Sequence, residues 1–132
     1  MDALTLRDRA EAALTGIPAS VTTSEPRIGA DGRVERTVIV TVTTGTASNR
    51  RAAGGSVNRN RYVNVLVVTA SRDSCIWLTD HVRDALTDLP LGHPHGRLAD
   101  ASYDGEPVQE LDTAPARWSR ALTFQTTTKR ST

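Results

Sequence analysis

Hydrophobic and polar positions alternate most regularly on either side of one polar interruption. Val38, Val40 and Val42 alternate with Thr37, Ile39, Thr41 and Thr43. That is the period of a half-buried strand, valine toward a core and threonine, joined by Ile39, away from it. The rhythm disappears over residues 45–61 and resumes at Val63, Val65, Leu66, Val67 and Val68 as a more continuously apolar run. This second run predicts a central strand covered on both faces. Together the two runs predict a hairpin with a long polar connection, and a compact domain rarely keeps such a connection unless it has a job or is disordered.

The flanking pattern supplies the other elements. Leu6, Ala10, Ala13, Leu14 and Ile17 recur near helical spacing, predicting a helix over 2–15 with a narrow, Ala-rich face suited to lying on a sheet. Thr5 to Asp8 resembles a capping box, with Asp2 as an earlier start, and Gly16 and Pro18 end the helix. Val21, Thr22 and Thr23 form a weaker strand interrupted by Pro26, which marks an edge. With a turn at Gly29-Ala30-Asp31-Gly32, residues 21–27 and 34–43 are expected to form a hairpin.

A second helix, capped by Ser71 or Asp73, carries an apolar stripe of Cys75, Leu78, Val82, Ala85, Leu86 and Leu89. Asp80, His81, Arg83, Asp84 and Asp88 lie on its solvent side, and Pro90 and Gly92 stop it. Short strands are expected over 98–103 and 108–111, with a turn over 104–107 between them. Residues 117–126 alternate, with Trp118, Leu122 and Phe124 on one face and Arg120 beside them. The polar tail 127–132 has no packing face and is expected to be loose. These elements give an α+β fold: one domain over 1–132, a small, mostly antiparallel sheet, and an N-terminal and a central amphipathic helix packed on it.

Composition narrows the function. A chain of 132 residues with 4% aromatics builds its core from Val, Leu, Ile and Ala, with Trp77, Trp118 and Phe124 as the large pieces. A net charge of +1 argues against a dedicated nucleic-acid binder with a strongly basic surface. Lys129 is the single lysine; arginine for phosphate would explain that, but so would a GC-rich genome. Cys75 stands alone, so no internal disulfide forms. No apolar run approaches the ~20 residues of a membrane span, and Met1-Asp2-Ala3 lacks a basic leader. The expected setting is the cytosol, or something assembled there.

Catalytic, cofactor and metal signals are missing. His93 and His95 flank Pro94 in a loop with no further ligand at zinc spacing. His81 falls in a solvated charge cluster beside Asp80 and Asp84. Cys75 lies near a helix N-terminus but on the apolar stripe, which predicts a buried structural thiol. No Gly-x-Ser-x-Gly, phosphate loop or His-Glu-x-x-His occurs; Gly54-Gly55 lacks the Lys-Ser/Thr that would follow. The chemistry left is the 45–61 segment, with Arg50, Arg51, Arg59 and Arg61, two adjacent glycines and no acid. It reads as a solvated loop, as a phosphate-contacting site with Tyr62 as a stacking ring, or as an arm reaching onto a neighbouring subunit.

The element order resembles that of the tail terminator, or tail completion, family of long-tailed bacteriophages. The resemblance is carried by Arg61-Tyr62-Val63-Asn64-Val65-Leu66-Val67-Val68, the helix from Ser71, and Arg117-Trp118-Ser119-Arg120-Ala121-Leu122-Thr123-Phe124. It implies a non-enzymatic virion protein, assembled in the host cytoplasm and located at the tail and neck. Such proteins form a hexameric ring that caps the tail tube, ends its polymerisation and joins tail to head. The implied partners are copies of the chain, the tail tube protein and neck or head–tail connector proteins. The 45–61 loop would face the lumen or the tube, where its arginines would touch passing DNA transiently. Arg36, Arg117 and Arg120 would pair with Asp100, Asp104, Glu106 or Glu110 across subunits, setting register. Two other readings stay open: another ring-forming neck or connector protein, and a small nucleic-acid-binding module.

Overall fold

The computed structural model describes residues 3–22, 25–44, 61–91, 96–99, 106–110 and 115–127. Its elements follow in chain order: α1 (Ala3–Ala13), β1 (Ser20–Thr22), β2 (Thr37–Thr44), β3 (Arg61–Thr69), α2 (Arg72–Leu86), β4 (Arg97–Leu98), β5 (Val108–Glu110) and β6 (Arg117–Thr127). The strands form one sheet in the order β1-β2-β3-β6-β4, and β5 also pairs with β6. β3 is central to the hydrogen bonding, antiparallel to β2 on one side and to β6 on the other. The expected α+β architecture is what the chain adopts.

Both helices pack on the same side of the sheet, and the core lies between the layers. Leu6, Ala10 and Leu14 from α1 and the turn after it, and Cys75, Leu78, Val82 and Leu86 from α2, are buried. They meet Val38 and Val40 of β2, Val63, Val65 and Val67 of β3, and Leu122 and Phe124 of β6. Each fully buried Leu or Phe side chain contributes about 1.5–3 kcal/mol of apolar transfer. Local chemistry sets the ends of α2. Ser71 is its N-cap, its hydroxyl accepting from the Ser74 N–H at 3.2 Å, and Asp73 lies in the first turn.

Several expectations are corrected. β1 and β2 are parallel, with Ser20 opposite Thr37 and Thr22 opposite Ile39, not the two arms of a hairpin. The reversal at Gly29–Gly32 instead closes a hairpin of its own. The Gly32 N–H donates to Gly29 O at 3.0 Å, Gly29 N–H to Arg33 O at 2.7 Å, and Glu35 N–H to Arg27 O at 2.9 Å. Gly32, at φ 79°, supplies the left-handed residue that this turn requires. The chain has therefore already made its return before β2 begins.

β3 is not covered on both faces. Val68 is buried on the second face as expected, but Leu66 is 36% exposed and Tyr62 and Asn64 are half-buried, because α1 and α2 share the opposite face. Trp77 is no core residue, at 43% exposed. Thr5 lies inside α1, which begins at Ala3. α2 ends at Leu86, and Leu89 belongs to a hairpin in which Leu98 N–H donates to Leu89 O and Leu91 N–H to Gly96 O.

Candidate assembly surface

The sheet face turned away from the helices is built by strand register. Across β2, β3 and β6 its rows are Thr37–Val68–Ser119, Ile39–Leu66–Ala121, Thr41–Asn64–Thr123 and Thr43–Tyr62–Gln125. None of these positions is a carboxylate, arginine or lysine. Asn64 ties two rows together: its Nδ2 donates to Thr43 Oγ1 in the next row at 3.0 Å, and its Oδ1 accepts from Thr123 Oγ1 in its own row at 3.3 Å. An uncharged sheet surface with Leu66 at its centre suits contact with protein better than contact with phosphate.

Charged residues singled out in the sequence lie off these rows. Glu110 and Arg117 are register partners, and Arg117 Nε lies 3.1 Å from Glu110 Oε2. Glu106 pairs with Arg72 at 2.9 Å, an exposed bridge worth at most ~1 kcal/mol. The sequence reading did not single out Arg72. Arg36 stacks on Trp77, its guanidinium carbon 4.9 Å from the ring centroid. Arg120 is half-buried opposite Val67 and close enough to Cys75 to act on its thiol. Arg61 opens β3, its backbone N–H donating to Thr126 Oγ1 at 3.3 Å. Arg50, Arg51, Arg59, Asp100, Asp104, His93, His95 and the tail after Thr127 lie outside the described residues.

Trp77 is the feature that sequence reasoning misplaced. His81 meets it edge-on, ring centroids 4.5 Å apart at 76°. The signal was available: Trp77 shares its helical face with Asp73, Asp80 and Asp84, not with Leu78 and Val82.

Chemistry elsewhere is structural. Burial raises the Cys75 thiol pKa, against hydrogen bonding with Thr69 and Thr79 and the nearby Arg120 charge, which lower it. A thiol in that state is a packed core group and a poor nucleophile. Among the described residues no group of three His, Cys, Asp or Glu side chains could hold a metal ion. A cavity of about 320 Å³ beside β1 is lined in part by Glu25, Arg27 and Glu35, all exposed. No described helix is long and apolar enough to cross a membrane.

No family model and no curated protein matches the chain. Solved structures do. The chain is similar to a chain from the virion of a native gene transfer agent (GTA) particle, at 17% identity and a TM-score of 0.58, over 94% of this chain and 92% of that one. At that identity the likeness is one of fold, and it runs through nearly the full length of both.

Proposed function

We propose that this chain is a non-enzymatic structural protein of a phage-like virion, and within it a tail terminator. It assembles in the host cytoplasm into a hexameric ring, caps the tail tube, stops its growth and joins tail to head. The observation that carries this reading is the end-to-end fold likeness to a chain of the GTA virion. Coverage of 94% and 92% means that the two share one whole architecture and not a common fragment. The uncharged rows of the sheet around Leu66 and the arginine-bearing 45–61 segment add surfaces through which a small subunit meets its neighbours. Head-to-tail contacts between such subunits close into a ring when the rotation allows.

Deleting residues 52–57 tests the role of the segment, with Arg50, Arg51, Arg59 and Arg61 kept in place. The expected outcome is a folded protein by circular dichroism that fails to complete tails. Tails of normal length and infectivity from the deletion would contradict it. Crosslinking within assembled particles separates a tail-side ring from a neck ring: links to tube protein are expected, and links to portal-side proteins alone would move the chain to the neck.

A further inference from the structure

Asp73, Trp77, Asp80 and Asp84 follow one another along a single stripe of α2, directly opposite the buried Cys75, Leu78, Val82 and Leu86. Arg36 and His81 hold the indole of Trp77 in place, yet 43% of the residue remains in water. A tryptophan held in orientation and left partly in water presents apolar surface that a partner can cover. Such residues, beside arginine, are the type that dominates protein interfaces. Asp73, Asp80 and Asp84 are exposed and enter no ion pair among the described residues. Asp84 lies near the C-terminal end of α2 and Asp88 just beyond it, where the helix dipole is negative and carboxylates weaken the helix. Helix stability therefore explains Asp73 in the first turn of α2 but not Asp84.

We propose that this face of α2 receives the arginine-bearing segment 45–60 of a neighbouring copy, with Trp77 as its stacking platform. The proposal rests on the ring reading and names the contact that would build the ring. Charge complementarity identifies the occupant: the segment holds Arg50, Arg51 and Arg59 and no acid, against α2 aspartates that enter no ion pair among the described residues. A guanidinium stacks on an indole and donates to carboxylates at the same time, which lysine does poorly. Topology sets the root of the segment apart from the acceptor. Arg36, which reaches Trp77, immediately precedes β2, whereas the segment leaves after Thr44 at the other end of that strand. Eight residues of strand separate them by roughly 26 Å at ~3.3 Å per residue. A contact between copies that joins the segment rooted at one end of β2 to the acceptor at the other end is heterologous and head-to-tail, the kind that propagates around a ring.

A charge swap in the full-length chain tests this by native mass spectrometry, with circular dichroism as the fold control. Asp80→Lys with Asp84→Lys, and separately Arg50→Glu with Arg51→Glu, are each expected to reduce the oligomer about tenfold or more. Trp77→Ala is expected to do the same with both charges intact. Combining the two reversals restores the oligomer. Oligomers that survive each reversal unchanged, or a combined variant no better than either alone, overturn the proposal while leaving the ring reading standing. A wild-type chain that stays monomeric overturns both. Reversed variants that still form rings but no longer bind tubes make the tube protein the occupant, and that also overturns it.

Discussion

Asp88 adopts φ 61° just past α2, a left-handed conformation that non-glycine residues tolerate poorly and Asp better than most. It is held there because its N–H donates to Leu98 O at 3.0 Å while its carbonyl accepts from Arg97 Nη1 at 3.0 Å. Asp88→Gly should keep or raise the melting temperature, whereas Asp88→Val should cost about 1–2 kcal/mol by urea unfolding. At the other end of α2, Ser71→Ala removes the hydroxyl that accepts from Ser74 and should cost about 1 kcal/mol. Cys75 offers a pH test. Its thiol pKa is raised in the fold by burial, so the unfolded chain loses that proton first as pH rises. Stability is therefore full below the unfolded thiol value of about 8.5 and declines above it. Denaturant melts between pH 7 and 10 should show that decline, and Cys75→Ala should remove its share. A thiol reagent should label Cys75 only after unfolding.

Among the elements, the asymmetry of the sheet is the property with the largest consequence. Val65 is buried under the helices, while its neighbour Leu66 is 36% exposed on the open face. Val65→Asp should therefore abolish folding by circular dichroism, and Leu66→Asp should leave the melt within about 1 kcal/mol of wild type. If the open face is an assembly surface, Leu66→Asp should still impair ring formation. The contrast also marks how far the sequence could be read. Strands and helices with strong periods were legible: β2, β3 and β6, and the buried stripe of α2, stand where alternation and helical spacing place them. Sheet topology was not. A glycine turn at Gly29–Gly32 signals a reversal, but nothing local says whether the strands beside it are the ones that pair. Here the reversal is absorbed before β2, leaving β1 parallel. Apolar continuity in β3 likewise could not reveal that both helices had taken one face. Trp77 was misplaced for a third reason: aromatic size suggests burial, whereas its aspartate neighbours at helical spacing suggested the opposite. Of the candidate site, Arg36, Arg61, Glu106, Glu110, Arg117 and Arg120 can be located. The partners they have in the fold, such as Trp77 for Arg36 and Arg72 for Glu106, depend on chain crossings that no spacing encodes.

At the scale of the whole molecule, the chain buries one sheet face under two helices and leaves the part of the other face around Leu66, and the outer stripe of α2, in contact with water. Net charge near zero lets copies approach without strong mutual repulsion. That arrangement fits a part whose work is assembly, and it accounts for a chain without catalytic signatures sharing a fold with a virion protein. Electron microscopy of tail tubes polymerised with and without the chain tests the central claim most directly. The expected result is a hexameric ring seated on one end of each tube, with tube length falling as the chain is added. Tubes that grow to the same length with bare ends, the chain remaining monomeric beside them, would contradict it.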